Sequence, residues 1–115
     1  MSFLMEQAME VCEAFPATEL SYPFGEETPV FKVVGRVFAI LTVEEGPGSI
    51  TLKADPEDAR ALVSEFPEVT PGYHMNKKHW ITVQVPPGRT PIEELIADSY
   101  DLVVAGLPRA RRPKP

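Results

Sequence analysis

Apolar residues recur at the spacing of an α-helix in three segments of the chain. In residues 2–15 they fall three or four positions apart, and a proline follows the last of them. A second segment starts at Asp55, an aspartate suited to cap a helix, followed by a proline suited to the first turn. The third starts at Thr90, where Thr-Pro-Ile-Glu has the pattern of a capping box, and it ends at Gly106. The pattern therefore predicts three amphipathic helices.

Segments rich in β-branched and aromatic residues separate these helices and predict strands. They cover residues 19–22, 30–34, 37–43 and 49–53, then a short strand from residue 69 and a clear one at 80–85. Gly35 and Arg36 are expected to form the turn between the second and third strands, because glycine takes a positive φ that Val34 would avoid. Connections this short require antiparallel neighbours.

The order of the elements predicts an α+β fold, with an antiparallel sheet of about five to six strands and the helices packed on one face. The other face is expected to be comparatively open to solvent. It would carry the outward side of two neighbouring strands, namely Thr51, Lys53, Trp80, Thr82 and Gln84.

The charge of the chain is uneven. Of the 115 residues, 17 are acidic and 11 basic, and four of the basic residues lie in the last seven positions. We therefore expect an anionic single domain over residues 1–108 and a disordered basic tail over residues 109–115. Because indiscriminate nucleic-acid binders are usually basic, a polyanion contact would require a local patch or the tail.

Several classes of protein do not fit this sequence. The single cysteine, Cys12, excludes an internal disulfide, and its place on an apolar helix face predicts a buried, inert thiol. Apolar runs are too short to cross a membrane and the amino terminus lacks a basic leader, so we expect a cytoplasmic protein. The common phosphate-binding, zinc-protease and serine-hydrolase motifs are absent, which favours a non-enzymatic protein without a cofactor.

The densest polar segment runs from Tyr73 to Trp80 and contains both histidines and an adjacent pair of lysines. In one interpretation it contacts nucleic acid, with the lysines on phosphates and the indole stacked on a base. In another, Asn76 and His79 hold backbone groups while Trp80 shields the sheet edge. A third interpretation is a small enzyme with a polar pocket around His74, Asn76 and His79, although nothing specifies its substrate.

This segment and several shorter ones resemble the MmcQ/YjbR-like family over residues 3–108. The shared elements are Tyr22-Pro23-Phe24-Gly25, residues 30–39, residues 51–56, residues 73–80 and Asp98-Ser99-Tyr100. The resemblance implies a CyaY-like (frataxin-like) double-wing architecture and a small bacterial cytoplasmic protein that binds DNA. Carried over by position, the implied contacts are Asn76, Lys77, His79 and Trp80, with Arg36 and Lys53 as neighbours and Lys78 at a variable position of the motif.

The leading hypothesis is thus a monomeric, non-enzymatic DNA-binding protein with no membrane partner, no metal site and no small-molecule substrate identified from the sequence. It would use the segment from His74 to Trp80 and the open sheet face. The alternative is a metal-handling or protein-interaction module that acts through acidic helix faces, whose oxygen ligands would suit iron, manganese or calcium. Those faces carry Glu6, Glu10 and Glu13 on the first helix and Glu94, Asp98 and Asp101 on the last.

Overall fold

A computed structural model gives the fold and describes residues 3–43, 48–72, 78–85 and 88–113. The elements are α1 (Phe3–Glu13), β1 (Thr18–Ser21), β2 (Val30–Val33), β3 (Arg36–Thr42), β4 (Ser49–Lys53), α2 (Pro56–Glu65), β5 (Val69–Pro71), β6 (Trp80–Gln84), α3 (Ile92–Ala105) and a 3₁₀ helix (Arg109–Arg111). Within these ranges no helix is both long and apolar enough to cross a bilayer.

The six strands form one antiparallel sheet in the order β1-β2-β3-β4-β6-β5. Strand β6 returns between β4 and β5, so that the β5–β6 pair forms one margin of the sheet. The predicted α+β class is confirmed. The sheet has six strands, the larger of the two numbers predicted.

The hydrophobic core lies between the helices and one face of the sheet. The register pairs Ala39 with Leu52 and Leu52 with Ile81, so these side chains share a face. Against that face pack Met5, Ala8 and Cys12 from α1, Ala59 from α2, and Leu95, Ile96, Tyr100 and Val103 from α3. The prediction that the helices pack on one face is confirmed.

Helix α2 buries fewer of its residues than helix α3 does. Its N-cap forms as predicted, because the Asp55 carboxylate accepts from the Glu57 N–H at 3.0 Å. Ala59 is its one buried residue, whereas α3 buries five. Leu62 and Val63 are only half-buried. A helix held by so narrow a contact leaves open space on both of its sides.

The turn between β2 and β3 lies one residue earlier than predicted. Val33 pairs with Arg36, so Val34 and Gly35 form the turn, with φ angles of 49° and 77°. Two successive positive φ angles match the right-handed twist of paired strands. The side chain of Val34 packs against the core in this unfavourable backbone conformation. The expectation that Val34 would avoid a positive φ is wrong. The pairing register of β2 and β3 sets the position of the turn and outweighs the preference of the single residue Val34.

The capping box predicted at Thr90 does not form. Helix α3 begins at Ile92, with Pro91 at the cap position and no side-chain cap hydrogen bond. The Thr90 hydroxyl instead donates to Glu68 Oε1 at 2.6 Å. This bond is the main cause that lowers the pKa of the Glu68 carboxyl below 4.5, helped by backbone N–H groups that include Arg89 and opposed by partial desolvation. Thr90 thereby joins the segment before α3 to the segment before β5.

Residues 109–113 have a defined local structure, whereas a disordered tail was predicted over residues 109–115. Arg109–Arg111 form one 3₁₀ turn. Arg112 then donates to the carbonyl oxygens of Leu107 at 3.0 Å and Ala105 at 2.9 Å. A cation at the carboxyl end of a helix is favoured by the free carbonyls and the helix dipole. Composition did not reveal these hydrogen bonds; residues 114 and 115 lie outside the described residues, and the domain boundary at 108 stays a prediction.

Candidate nucleic-acid interface

Three of the predicted contact residues meet where β4 ends and β6 begins. Lys53 pairs in register with Trp80, and the Ala54 N–H donates to the His79 carbonyl oxygen at 2.8 Å. Lys78 directly precedes His79; both residues are exposed, whereas Lys53 is half-buried. We call Lys53, Lys78 and His79 the basic end. The antiparallel register thus joins cations that lie 25 positions apart in the chain.

A buried hydroxyl from α3 holds the β4 side of the basic end in place. Ser99 is 0% exposed. Its Oγ accepts from the Lys53 N–H at 2.8 Å and donates to the Phe38 carbonyl oxygen at 2.5 Å. The hydroxyl therefore bridges β3 and β4 beyond their last paired residues, Ala39 and Leu52. From the sequence, Ser99 was noted only as a packing position of the third helix and within the elements shared with the resembled family, and no hydrogen-bonding role was predicted for it. Its polar type on an apolar helix face was the available signal.

Trp80 does not offer the predicted stacking surface. The residue is only 8% exposed. Gly72 lies against it: the Gly72 N–H donates to the Trp80 carbonyl oxygen at 2.7 Å, and a Cβ added to Gly72 would lie 2.5 Å from the Trp80 Cβ. A base cannot stack on a ring that has so little accessible area. Of the two interpretations of Trp80, the structure favours the one in which it covers the sheet.

Arg36 has a partner within the protein. Its guanidinium donates to the Gly106 carbonyl oxygen at 3.2 Å, at the end of α3. Gly106 is the C-cap of that helix. Arg36 and Arg112 thus both bind carbonyl oxygens near the end of α3, where a helix favours positive charge. A contact between Arg36 and nucleic acid would have to replace the hydrogen bond from Arg36 to Gly106.

Two further predicted contacts, Asn76 and Lys77, lie outside the described residues. The same holds for Tyr73, His74 and Met75, which complete the segment.

The predicted open face of the sheet is largely closed. Thr51 and Thr82 are 4% and 6% exposed, and their hydroxyls form a hydrogen bond of 3.0 Å across the strands. Gln84 alone among the five predicted residues is exposed, and Lys53 is half-buried. The expectation is wrong for Thr51, Thr82 and Trp80, because alternation predicts which face a side chain occupies and not how closely its neighbours cover it.

A groove between α2 and the β5–β6 pair reaches Lys78 of the basic end. Its volume is about 670 Å³. The apolar residues that line it are Pro56, Ala59, Val63, Pro71 and Ile81. Its polar lining residues are Arg60, Ser64 and Lys78. We call this space the α2–β6 groove.

The sequence analysis missed Arg60 as a site residue. Arg60 follows Pro56 by four positions and precedes Ser64 by four, which is the spacing of one helix face. That periodicity was the available signal. It did not show that Lys78 would stand across the groove, since this depends on where β6 enters the sheet.

A second groove, of about 330 Å³, lies between α2 and α3 and is acidic. Its carboxylate residues are Asp55, Asp58 and Glu65 on the α2 side and Glu94 and Asp98 on the α3 side. Lys53 of the basic end also lines this groove. We call it the α2–α3 groove. In the described part of the chain no three histidine, cysteine or acidic side chains are grouped closely enough to hold a metal ion. The acidic face of α1 consists of exposed side chains.

Cys12 is buried in the core. It is 0% exposed, and burial, reinforced by the neighbouring negative charge of Glu13, raises the pKa of its thiol to about 12. A thiol with so high a pKa is not a nucleophile at neutral pH. The structure agrees with the prediction of a buried thiol.

Comparison with known proteins identifies the family. The YjbR family model matches residues 13–102 of this chain. The chain belongs to the YjbR family. Its α+β architecture, with six antiparallel strands and three helices, is therefore an example of a YjbR fold, and the predicted resemblance is confirmed.

Sequence relatives of this YjbR-family protein occur in Escherichia coli. "Uncharacterized protein YbdF" of strain O157:H7 is 43% identical over 108 residues, which are 90% of this chain and 87% of YbdF. "Uncharacterized protein YjbR" of strain K12 is 32% identical over 111 residues, which are 94% of this chain and 93% of YjbR.

Two crystal structures share the fold. The Deinococcus radiodurans protein DR2400, of domain family DUF419, superposes with a TM-score of 0.85 at 36% identity, covering 94% of this chain and 84% of DR2400. A Pseudomonas syringae protein superposes with a TM-score of 0.71 at 26% identity, covering 89% of this chain and 98% of that one.

Proposed function

We propose that this protein is a non-enzymatic DNA-binding protein whose phosphate contacts are made at the basic end. The observation that supports it is the 2.8 Å hydrogen bond from the Ala54 N–H to the His79 carbonyl oxygen, which holds the backbone next to Lys53 against the backbone next to Lys78. The Lys53 side chain lines the α2–α3 groove and the Lys78 side chain the α2–β6 groove, so the proposed surface spans the end of both. Arg60 adds a further cation through the α2–β6 groove. Lys77 and Asn76 lie outside the described residues, and their contacts with nucleic acid stay predictions from the sequence.

The charge of the body limits how such a surface works. Residues 1–108 contain seven basic side chains against 17 acidic ones, so the rest of the surface repels DNA. A patch of a few cations neutralises only about two to four phosphates, and the salt dependence of binding should be correspondingly shallow. We therefore propose weak binding, in the micromolar range at low salt, without base stacking by Trp80. We also propose that the sheet and helices correspond to the CyaY-like double-wing arrangement.

Fluorescence anisotropy with labelled single- and double-stranded DNA at about 50 mM salt tests this proposal. The double variant Lys53→Gln/Lys78→Gln should weaken binding at least about tenfold, since each lost phosphate contact removes both attraction and counterion release. The matched control is Lys32→Gln/Arg89→Gln, which removes the same charge from positions outside the basic end. A third pair, Arg109→Gln/Arg111→Gln, measures the contribution of the exposed tail cations.

A wild-type dissociation constant above about 100 μM would overturn the proposal, because nonspecific DNA binders have dissociation constants of about 100 μM or less. Equal losses in the basic-end variant and its control would show that only net charge matters. If the tail pair alone abolishes binding, the contact belongs to the tail and the basic end has no role.

The α2–α3 groove supports a second candidate function, protein interaction with a basic segment. Five carboxylate residues line it, and an extended basic peptide would neutralise them. Calorimetric titration with the peptide octalysine tests whether the α2–α3 groove binds a basic segment. Asp58→Asn/Asp98→Asn should weaken binding, whereas Glu6→Asn/Glu10→Asn on α1 should not. Equal effects of the two pairs would contradict a defined groove, and heat from Mn²⁺ or Ca²⁺ in a parallel titration would instead favour the metal-handling alternative.

A further inference from the structure

The α2–β6 groove has the size and lining of a small-molecule site. Its volume of about 670 Å³ lies within the range of about 300–1,000 Å³ that ligand pockets occupy. Ala59 and Ile81 belong to the core and are only 5% and 1% exposed, so the accessible apolar lining is Pro56, Val63 and Pro71. Val63 is half-buried on its wall. An apolar molecule in this space would gain contact with side chains that α2 leaves partly uncovered.

Two cations stand beside this apolar lining. Arg60 and Lys78 are both exposed residues of the groove, one on α2 and one at the start of β6. In the described part of the chain the Arg60 guanidinium has no hydrogen bond or ion pair, although acidic residues flank it in α2. A guanidinium can donate two parallel N–H bonds to one carboxylate, a geometry that an ammonium cannot offer. Arg60 is thus available to a planar anion in the groove.

We propose that the α2–β6 groove binds a small amphipathic carboxylate. Its apolar body would lie on Pro56, Val63 and Pro71, and its carboxylate would accept hydrogen bonds from Arg60 with Lys78 nearby. The inference does not rest on DNA binding, although Arg60 and Lys78 also belong to the proposed DNA surface.

The combination of lining and charge selects this class of ligand. A neutral apolar molecule would leave the charge of Arg60 unused, and a cationic one would be repelled. Inorganic phosphate would use the cations but not the apolar residues, and so would gain nothing from the rest of the groove. A single carboxylate on an apolar body uses both features.

Calorimetric titration with octanoate tests the proposal, with octanol and octylammonium as probes of the same apolar length. We expect octanoate to bind at one site, octanol at least about tenfold more weakly, and octylammonium not at all. Arg60→Gln should weaken octanoate binding about tenfold, the effect of one lost charge-assisted contact. Arg89→Gln, which removes an exposed cation outside the groove, should leave it unchanged.

A steric pair of variants locates the site. Ser64→Trp places a bulky side chain in the α2–β6 groove, whereas Ala61→Trp, three positions earlier, places it at the α2–α3 groove; both positions are exposed, so both proteins should fold. Only Ser64→Trp should block octanoate. Equal affinity for octanoate and octanol, equal effects of the two arginine variants, or octanoate binding that survives Ser64→Trp would each overturn the proposal. None of these measurements involves nucleic acid, so their failure leaves the DNA-binding test unaffected.

Discussion

Helix α2 separates two grooves of opposite charge. The α2–β6 groove is lined by apolar residues with Arg60 and Lys78, whereas the α2–α3 groove has five carboxylate residues around Leu62 and Leu95. One helix of ten residues forms a wall of both. Helical spacing places Arg60 and Val63 toward the first groove and Leu62 and Glu65 toward the second.

The difference shows that the opposite wall sets the character of each groove. The β5–β6 pair brings Lys78 to one side of α2, and α3 brings Glu94 and Asp98 to the other. Both spaces exist because α2 buries only Ala59. A helix packed as closely as α3 would have closed them. The predictions below alter one wall at a time.

The largest effect is expected when the β5–β6 wall is forced apart. In Gly72→Ala the new Cβ would lie 2.5 Å from the Trp80 Cβ and 3.0 Å from its backbone, which cannot yield as a flexible side chain would. We expect the free energy of unfolding to fall by about 3 kcal/mol, measured by urea denaturation. Gly106→Ala is the control, because its Cβ would meet its nearest neighbour at an ordinary 3.4 Å. Similar stability of the two variants would show that Gly72 does not fix this wall.

The next largest effect concerns the α3 wall. Ser99→Ala would leave the Lys53 N–H and the Phe38 carbonyl oxygen buried without their shared partner. We expect a loss of about 2 kcal/mol in the free energy of unfolding. Ser64→Ala, at an exposed site on α2, should change it by less than about 0.5 kcal/mol. Hydrogen exchange should also show faster opening at Lys53 in Ser99→Ala, and unchanged protection there would contradict the bridge.

A pH-dependent effect is expected where Glu68 and Thr90 connect the two walls. The Thr90 hydroxyl lowers the pKa of Glu68 in the folded protein. The hydrogen bond therefore stabilises the fold fully above the ordinary pKa of 4.5, and this stabilisation is lost as the pH falls through the lower pKa of the folded protein. Thr90→Val removes the hydroxyl. The difference in unfolding free energy from the wild type should therefore be greatest near pH 7 and shrink toward pH 3. A difference that is constant with pH would exclude the charge-assisted bond as its cause.

The smallest effect is expected from charge in the α2–α3 groove. Asp98→Asn removes one of five carboxylates that share the groove with one lysine, Lys53, so repulsion dominates. The change should raise the free energy of unfolding by about 0.2–0.5 kcal/mol at low salt. The gain should disappear near 1 M salt, where screening removes the repulsion. Arg60→Gln on the opposite side of α2 should show no such gain. Thermal unfolding at two salt concentrations distinguishes the grooves, and a gain that is independent of salt would contradict the electrostatic cause.

Sequence patterns located the elements well and their contacts poorly. The N-cap at Asp55 formed because it depends on residues two positions apart, whose hydrogen bond is local. The capping box at Thr90 failed although its pattern was as good, since Glu68 lies 22 positions away and accepted the hydroxyl instead. Local signals succeed until a distant group offers a better partner.

The candidate site shows the same division. Lys78 and His79 were found from their clustering in sequence, and both are exposed. Trp80 was assigned to the surface by strand alternation, yet Gly72 and its neighbours leave it buried. Arg60 was missed because its partner across the groove comes from another element.

By itself the sequence determined the helices, the strands, the α+β class and the family, because spacing of apolar residues, caps and glycines acts over a few positions. The tertiary structure decided which polar groups remain available. In the tertiary structure Arg36 donates a hydrogen bond to a carbonyl oxygen at the end of α3, Trp80 is buried, and Arg60 and Lys78 line the same groove. Exposure and charge pairing depend on the elements that pack nearby, and these become neighbours only when the sheet places β6 between β4 and β5.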